Sequence, residues 1–129
     1  MPYGTINVDT ITASTGVLAT QNGMTGIAKA WANFAGSATP TINSSFNVSS
    51  VTYNSTGNYT VTFTTVMPNA NYVTLGGCLE STADGAQPTN RVVAPTRTAP
   101  LVGSVRVGCV FFDGAFQSTT AVYVAVYSS

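Results

Sequence analysis

Proton transfer and metal binding in this chain would have to come from very few side chains. The acids are Asp9, Glu80, Asp84 and Asp113, the thiols are Cys78 and Cys109, and histidine is absent. Without imidazole there is no Ser–His pair, no histidine base and no histidine metal ligand. Asp84 and Asp113 precede Gly85 and Gly114, turn positions at which an aspartate hydrogen-bonds its own backbone. Glu80 and Asp84 could flank a glycosidic bond as a carboxylate pair, but no companion motif stands beside them. Cys78 and Cys109 lack the spacing and partners of a zinc knuckle. Each sits in an apolar, strand-like stretch, where a thiol packs as a small hydrophobe. Pairing across neighbouring strands is the alternative, and use in the cytoplasm argues against it. No phosphate loop, calcium loop or dinucleotide fingerprint is present. The expectation is therefore no catalytic residue, no metal and no cofactor.

The binding inventory is equally sparse. Lys29, Arg91, Arg97 and Arg106 are the only cations, the formal net charge is zero and the pI is about 5.9. Affinity for nucleic acid scales with the phosphates neutralised, so a nucleic-acid partner is set aside. Asn-x-Ser/Thr triplets at Asn43, Asn47, Asn54 and Asn58 are expected by chance in so Asn- and Thr-rich a segment. They carry no meaning without a secretory signal. Tyr59, Tyr72, Tyr123, Tyr127 and Phe112 are open to two readings. A tyrosine offers an apolar plate with a polar tip that suits a carbohydrate-binding face, and equally suits a core or a subunit interface.

The elements that must position these groups are strands. The 129 residues are enough for one domain, and charged residues make up only 6 %, against about 25 % in a typical soluble domain. Ser and Thr supply roughly a quarter of the chain, and Thr, Val, Tyr and Phe fit a pleated surface. So little charge offers weak protection against self-association, which favours an obligate oligomer or a subunit of a larger assembly. No run approaches the ~20 apolar residues that span a membrane. The N-terminus lacks the basic and apolar regions of a secretory signal. A chain made and used in the cytoplasm, with no membrane insertion, is expected.

In residues 1–26, Ile6, Val8 and Ile11 are apolar points in a run of Thr, Ser, Asn and Gly. That is too thin to bury a core, and predicts an extended N-terminal arm that anchors or oligomerises through Ile6, Val8 and Ile11. Residues 27–129 form the domain proper. Ala28–Phe34 reads as a strand ending at Gly36. Ser45–Tyr53 reads as a second, bulged where the apolar spacing slips from two to three. Asn54–Asn58 is a turn cluster that predicts a hairpin. Tyr59, Val61 and Phe63 then alternate with Thr60, Thr62 and Thr64. Met67–Asn71 breaks the ladder and Tyr72–Leu79 resumes it, with Gly76-Gly77 marking a bulge or a close backbone approach. Residues 80–103 are irregular, with one short strand at Arg91–Ala94. Val105, Val107, Cys109 and Phe111 alternate, Asp113-Gly114 turns, and Val122, Val124 and Val126 alternate to the end. About seven short strands without a helix predict an all-β, antiparallel, jelly-roll-like β-sandwich, with the C-terminal strand held inside a sheet.

The segments Ala28-Lys29-Ala30-Trp31-Ala32-Asn33-Phe34, Ser45-Phe46-Asn47-Val48-Ser49-Ser50-Val51-Thr52, Gly57-Asn58-Tyr59-Thr60-Val61-Thr62-Phe63-Thr64-Thr65 and Met67-Pro68-Asn69-Ala70-Asn71-Tyr72 occur in this order. Together they resemble a module of tailed-phage virion proteins, met at tail-fibre ends and in short structural proteins. Gly4–Thr12 resembles the arms that precede such modules, and Ser104–Val107 with Val122–Tyr127 resembles their last strands. The resemblance covers about residues 1–79 well and the remainder loosely. It implies a homotrimeric virion structural protein with no catalytic residues to carry over.

Three expectations follow. The first is a tail-fibre or spike-type protein on the virion surface, assembled in the host cytoplasm. Its arm would bind other virion proteins of the capsid or tail, and the loop residues Glu80, Asp84, Gln87, Arg91 and Arg97 would face a host surface glycan or protein. The second is a capsid decoration (cement) protein, which the chain length of 129 residues favours because it leaves no room for a long shaft. The third is a glycan-degrading tip enzyme, which the acid and base inventory disfavours.

Overall fold

The computed structural model describes residues 27–79, 92–96, 98–110 and 114–128, with no helix among them. The strands are β1 (Ala30–Ala35), β2 (Ile42–Phe46), β3 (Val48–Ser55), β4 (Asn58–Phe63), β5 (Val73–Leu79), β6 (Val92–Pro95), β7 (Ser104–Val110) and β8 (Ala121–Tyr127). They form two four-stranded sheets in the orders β2-β1-β8-β5 and β3-β4-β7-β6. Every neighbouring pair is antiparallel. The expected antiparallel β-sandwich is the observed architecture, and β8 lies inside its sheet, between β1 and β5. The arm over 1–26, and with it Ile6, Val8 and Ile11, lies outside the described residues, as does Phe111.

Strict alternation builds the core. One phase of each central strand points inward: Ala30, Ala32 and Phe34 of β1; Val122, Val124 and Val126 of β8; Tyr59, Val61 and Phe63 of β4; and Val105, Val107 and Cys109 of β7. Fully burying a side chain such as Phe34 or Val107 contributes about 1.5–3 kcal/mol. Small Ala30 and Ala32 in one sheet leave room for aromatic rings from the other. Phe34 meets Tyr59 edge-to-face at 5.2 Å, and Phe63 meets Tyr72 at 5.9 Å. Cys78 is half-buried and Cys109 buried, on β5 and β7 of opposite sheets.

The single bulged strand expected over Ser45–Tyr53 is two strands in two sheets. Asn47 stands between them in the left-handed region, with φ 54°, and turns the chain from β2 in one sheet to β3 in the other. The slip in apolar spacing is a corner of the sandwich, where a strand leaves one sheet for the other. Bulges occur elsewhere, in β1–β2 beside Asn33 and twice in β3–β4. Gly76 proves to be the close approach, because β5 pairs with β8 without a break, whereas a Cβ at Gly77 would meet nothing within 4 Å. A Cβ at Gly76 would stand 2.6 Å from a Val93 methyl, so glycine lets β5 and β6 approach across the sandwich.

The Met67–Tyr72 segment closes one end. The Asn69 side chain accepts a hydrogen bond from the Asn71 N–H at 2.8 Å, and buried Met67 donates its N–H to the Val102 carbonyl at 2.8 Å. The Tyr72 hydroxyl donates to the carbonyls of Leu101 (3.0 Å) and Ser104 (2.8 Å). This one hydroxyl fastens the β4–β5 connection to the turn before β7. Tyr72→Phe is expected to cost about 1 kcal/mol, read as a lower urea midpoint at unchanged slope.

Candidate functional site: an apolar sheet face and an apolar end

The two outer faces of the sandwich are unlike. On the β3-β4-β7-β6 sheet, alternation turns Ser50, Thr52, Thr60, Thr62 and Arg106 outward, and Ser50 lies opposite Thr62 and Thr52 opposite Thr60. On the β2-β1-β8-β5 sheet, the outward phase is Trp31 and Asn33 of β1, Tyr123, Ala125 and Tyr127 of β8, and Val73, Leu75, Gly77 and Leu79 of β5. Trp31, Val73, Leu75, Leu79 and Tyr123 are 39–59 % exposed. Large exposed apolar patches mark interaction sites, and no charged side chain among the described residues of these strands points out of this face.

Register explains its relief. Trp31, Ala125 and Leu75 fall in one cross-strand row, and Asn33, Tyr123 and Gly77 in the next. Small Ala125 and bare Gly77 stand among the large Trp31, Leu75 and Tyr123. The result is a shallow concavity of about 490 Å³ lined by these residues and Asn33, within the ~300–1,000 Å³ of small-ligand sites. At its β1 side, the β1–β2 bulge re-aims Asn43, whose amide donates to the Asn33 side-chain oxygen at 3.3 Å.

The second patch lies at the end of the sandwich where residue 27 begins the domain. The Asn47 amide donates to the Lys29 carbonyl (2.9 Å) and the Thr65 carbonyl (3.1 Å). Those bonds bring the start of β1, the β2–β3 corner and the β4–β5 connection together, and the Met67–Val102 bond adds the turn before β7. Four exposed aliphatic side chains collect at this end: Ile27 (42 %), Val66 (59 %), Leu101 (59 %) and Val102 (46 %).

The residues expected to carry function divide sharply. Glu80, Asp84, Gln87, Arg91 and Arg97 lie outside the described residues, as do Asp9, Asp113 and Phe112. Of the aromatics open to two readings, Tyr59 and Tyr72 are core residues, while Tyr123 is surface and Tyr127 shares its face. Trp31, Asn33 and Leu75, and the aliphatic end, were not singled out from sequence. The signal for the face was present. In β8 both phases of the alternation are apolar, which marks a strand with something to cover on each side. No group of three His, Cys, Asp or Glu that could hold a metal occurs among the described residues.

Fold and surface together define an antiparallel β-sandwich module carrying two apolar patches. No protein-family model, curated protein or solved structure matches this chain.

Proposed function

We propose that this chain is a non-enzymatic structural subunit of a tailed-phage virion, a tail-fibre or spike-type surface module that self-associates as a homotrimer through the end at which residues 1–26 join the domain. The observation that carries the reading is the cluster of exposed Ile27, Val66, Leu101 and Val102 at that end. Aliphatic side chains gathered beside the start of the domain suit burial against neighbouring copies or against another virion protein. The phage-like segments support the same reading. Their distinctive residues are Ala30, Ala32 and Phe34 in the core, Asn47 at the corner and Tyr72 at the closing loop, all of them residues that make a scaffold. The absence of histidine supports a role without acid–base catalysis.

The full chain is expected to sediment as a trimer, and antibody to it is expected to label purified phage particles. Val66→Asp combined with Leu101→Asp alters two exposed positions, so folding stability should stay within about 1 kcal/mol while the trimer dissociates. A wild-type chain that sediments as a monomer overturns the assembly reading, and its absence from particles overturns the virion reading.

A further inference from the structure

We infer that the concavity between Trp31, Leu75 and Tyr123 is a binding site for a neutral pyranose ring, such as an uncharged hexose of a surface glycan. Three observations converge on this ligand class. Trp31 and Tyr123 flank Ala125 and Gly77 as partly exposed aromatic plates, surfaces on which the C–H face of a sugar ring packs. The polar groups beside them are amides. In the Asn33–Asn43 pair only one N–H and one oxygen are engaged with each other. Whichever way the amides are assigned, one NH₂ and one carbonyl oxygen have no partner among the described residues, a donor and an acceptor suited to sugar hydroxyls. Among the described residues no Lys, Arg, Asp or Glu lines the concavity, and none there balances the charge of a sialic or uronic acid.

Shape favours the sugar over a second copy of the chain. A two-fold contact would set concavity against concavity, leaving a void whose lining gains no packing. The site is separate from the Ile27–Val66–Leu101–Val102 end, so it stands independently of the assembly reading.

Trp31 is the only tryptophan, so its emission reports on the site directly. The full-length protein is titrated with glucose-, galactose- and mannose-based neutral hexasaccharides and, as the charged control, with an oligogalacturonate. At least one neutral sugar is expected to shift Trp31 emission with Kd of about 1 mM, and the oligogalacturonate is not. Trp31→Ala, followed by calorimetry, and Tyr123→Ala are each expected to weaken that binding about tenfold. Gly77→Leu fills the concavity without burdening the fold, since a Cβ there meets nothing within 4 Å, and should abolish binding in a protein of unchanged melting temperature. The Val66→Asp, Leu101→Asp variant should bind sugar as the wild type does, which separates failure of this site from failure of the assembly reading. The inference is overturned if no neutral sugar perturbs Trp31 up to about 50 mM, or if Gly77→Leu binds normally. An emission shift that follows protein concentration without sugar and disappears in Leu75→Asp would assign the face to a second copy instead.

Discussion

Replacing Asn47 by alanine is expected to destabilise the domain by about 3 kcal/mol, although the side chain lies near the surface. Its amide donates to the carbonyls of Lys29 and Thr65, and its side-chain oxygen accepts from the Thr65 N–H at 2.7 Å. Each hydrogen bond is worth about 1 kcal/mol net. The backbone at φ 54° adds a further ~1 kcal/mol, because an alanine Cβ crowds the following carbonyl in the left-handed region. Neighbouring groups will recover part of this by bonding water, which keeps the sum near 3. The control is Asn47→Gly, which relieves the backbone penalty and loses the same bonds, so it should recover about 1 kcal/mol relative to alanine. Urea unfolding of the three proteins reads both numbers. Equal stability of the alanine and wild-type proteins would show that the corner is held by packing alone.

Asn47 also shows where sequence reading ran out. The strands β4 and β7 were legible because a single-phase alternation over six or seven residues has no other reading at this length. The corner was not. An asparagine between Phe46 and Val48 interrupts a strand pattern by one residue, and a one-residue slip looks the same whether it is a bulge within a sheet or a passage between sheets. The difference lies in long-range partners, Lys29 and Thr65, which spacing cannot supply. The Gly76-Gly77 pair was legible as a bulge or a close approach, but the partner that decides it, Val93, sits on a strand of only four residues.

The candidate surfaces were legible in kind more than in place. A chain with 6 % charged residues must expose apolar area. Locating the concavity required the register that sets Trp31 beside Ala125 and Leu75, and Asn33 beside Tyr123 and Gly77. That register depends on pairing β1 with β8, strands from opposite ends of the described chain. The aliphatic end was harder still. Ile27, Val66, Leu101 and Val102 come from three separate segments, and only the hydrogen bonds of Asn47 and Met67 gather them.

Tyr59 supplies the second large effect, a loss of stability in alkali that one methodical substitution should remove. The side chain is wholly buried, packed edge-on against Phe34 at 5.2 Å and Tyr53 at 6.0 Å. Its hydroxyl has no hydrogen-bond partner among the described residues. Burial first, then the neighbouring Cys109 and Tyr53, push its pKa up from 10.0 to about 12. Burial raises Tyr72 in the same direction. An unfolded tyrosine releases its proton near pH 10, whereas the folded protein holds the Tyr59 proton to about pH 12. Between those values the native state binds more protons than the unfolded state, so stability must fall as pH rises. The contribution is complete below pH 10 and about 2–3 kcal/mol smaller by pH 12. Tyr59→Phe removes both the titration and a buried hydroxyl without a hydrogen-bond partner among the described residues, so it should gain about 1 kcal/mol near neutral pH and fall less steeply in alkali. Urea midpoints of the two proteins, followed from neutral pH into that range, should therefore diverge above pH 10. Parallel curves would mean that the Tyr59 hydroxyl reaches water in solution, and a less stable phenylalanine protein would mean that it makes a hydrogen bond worth keeping.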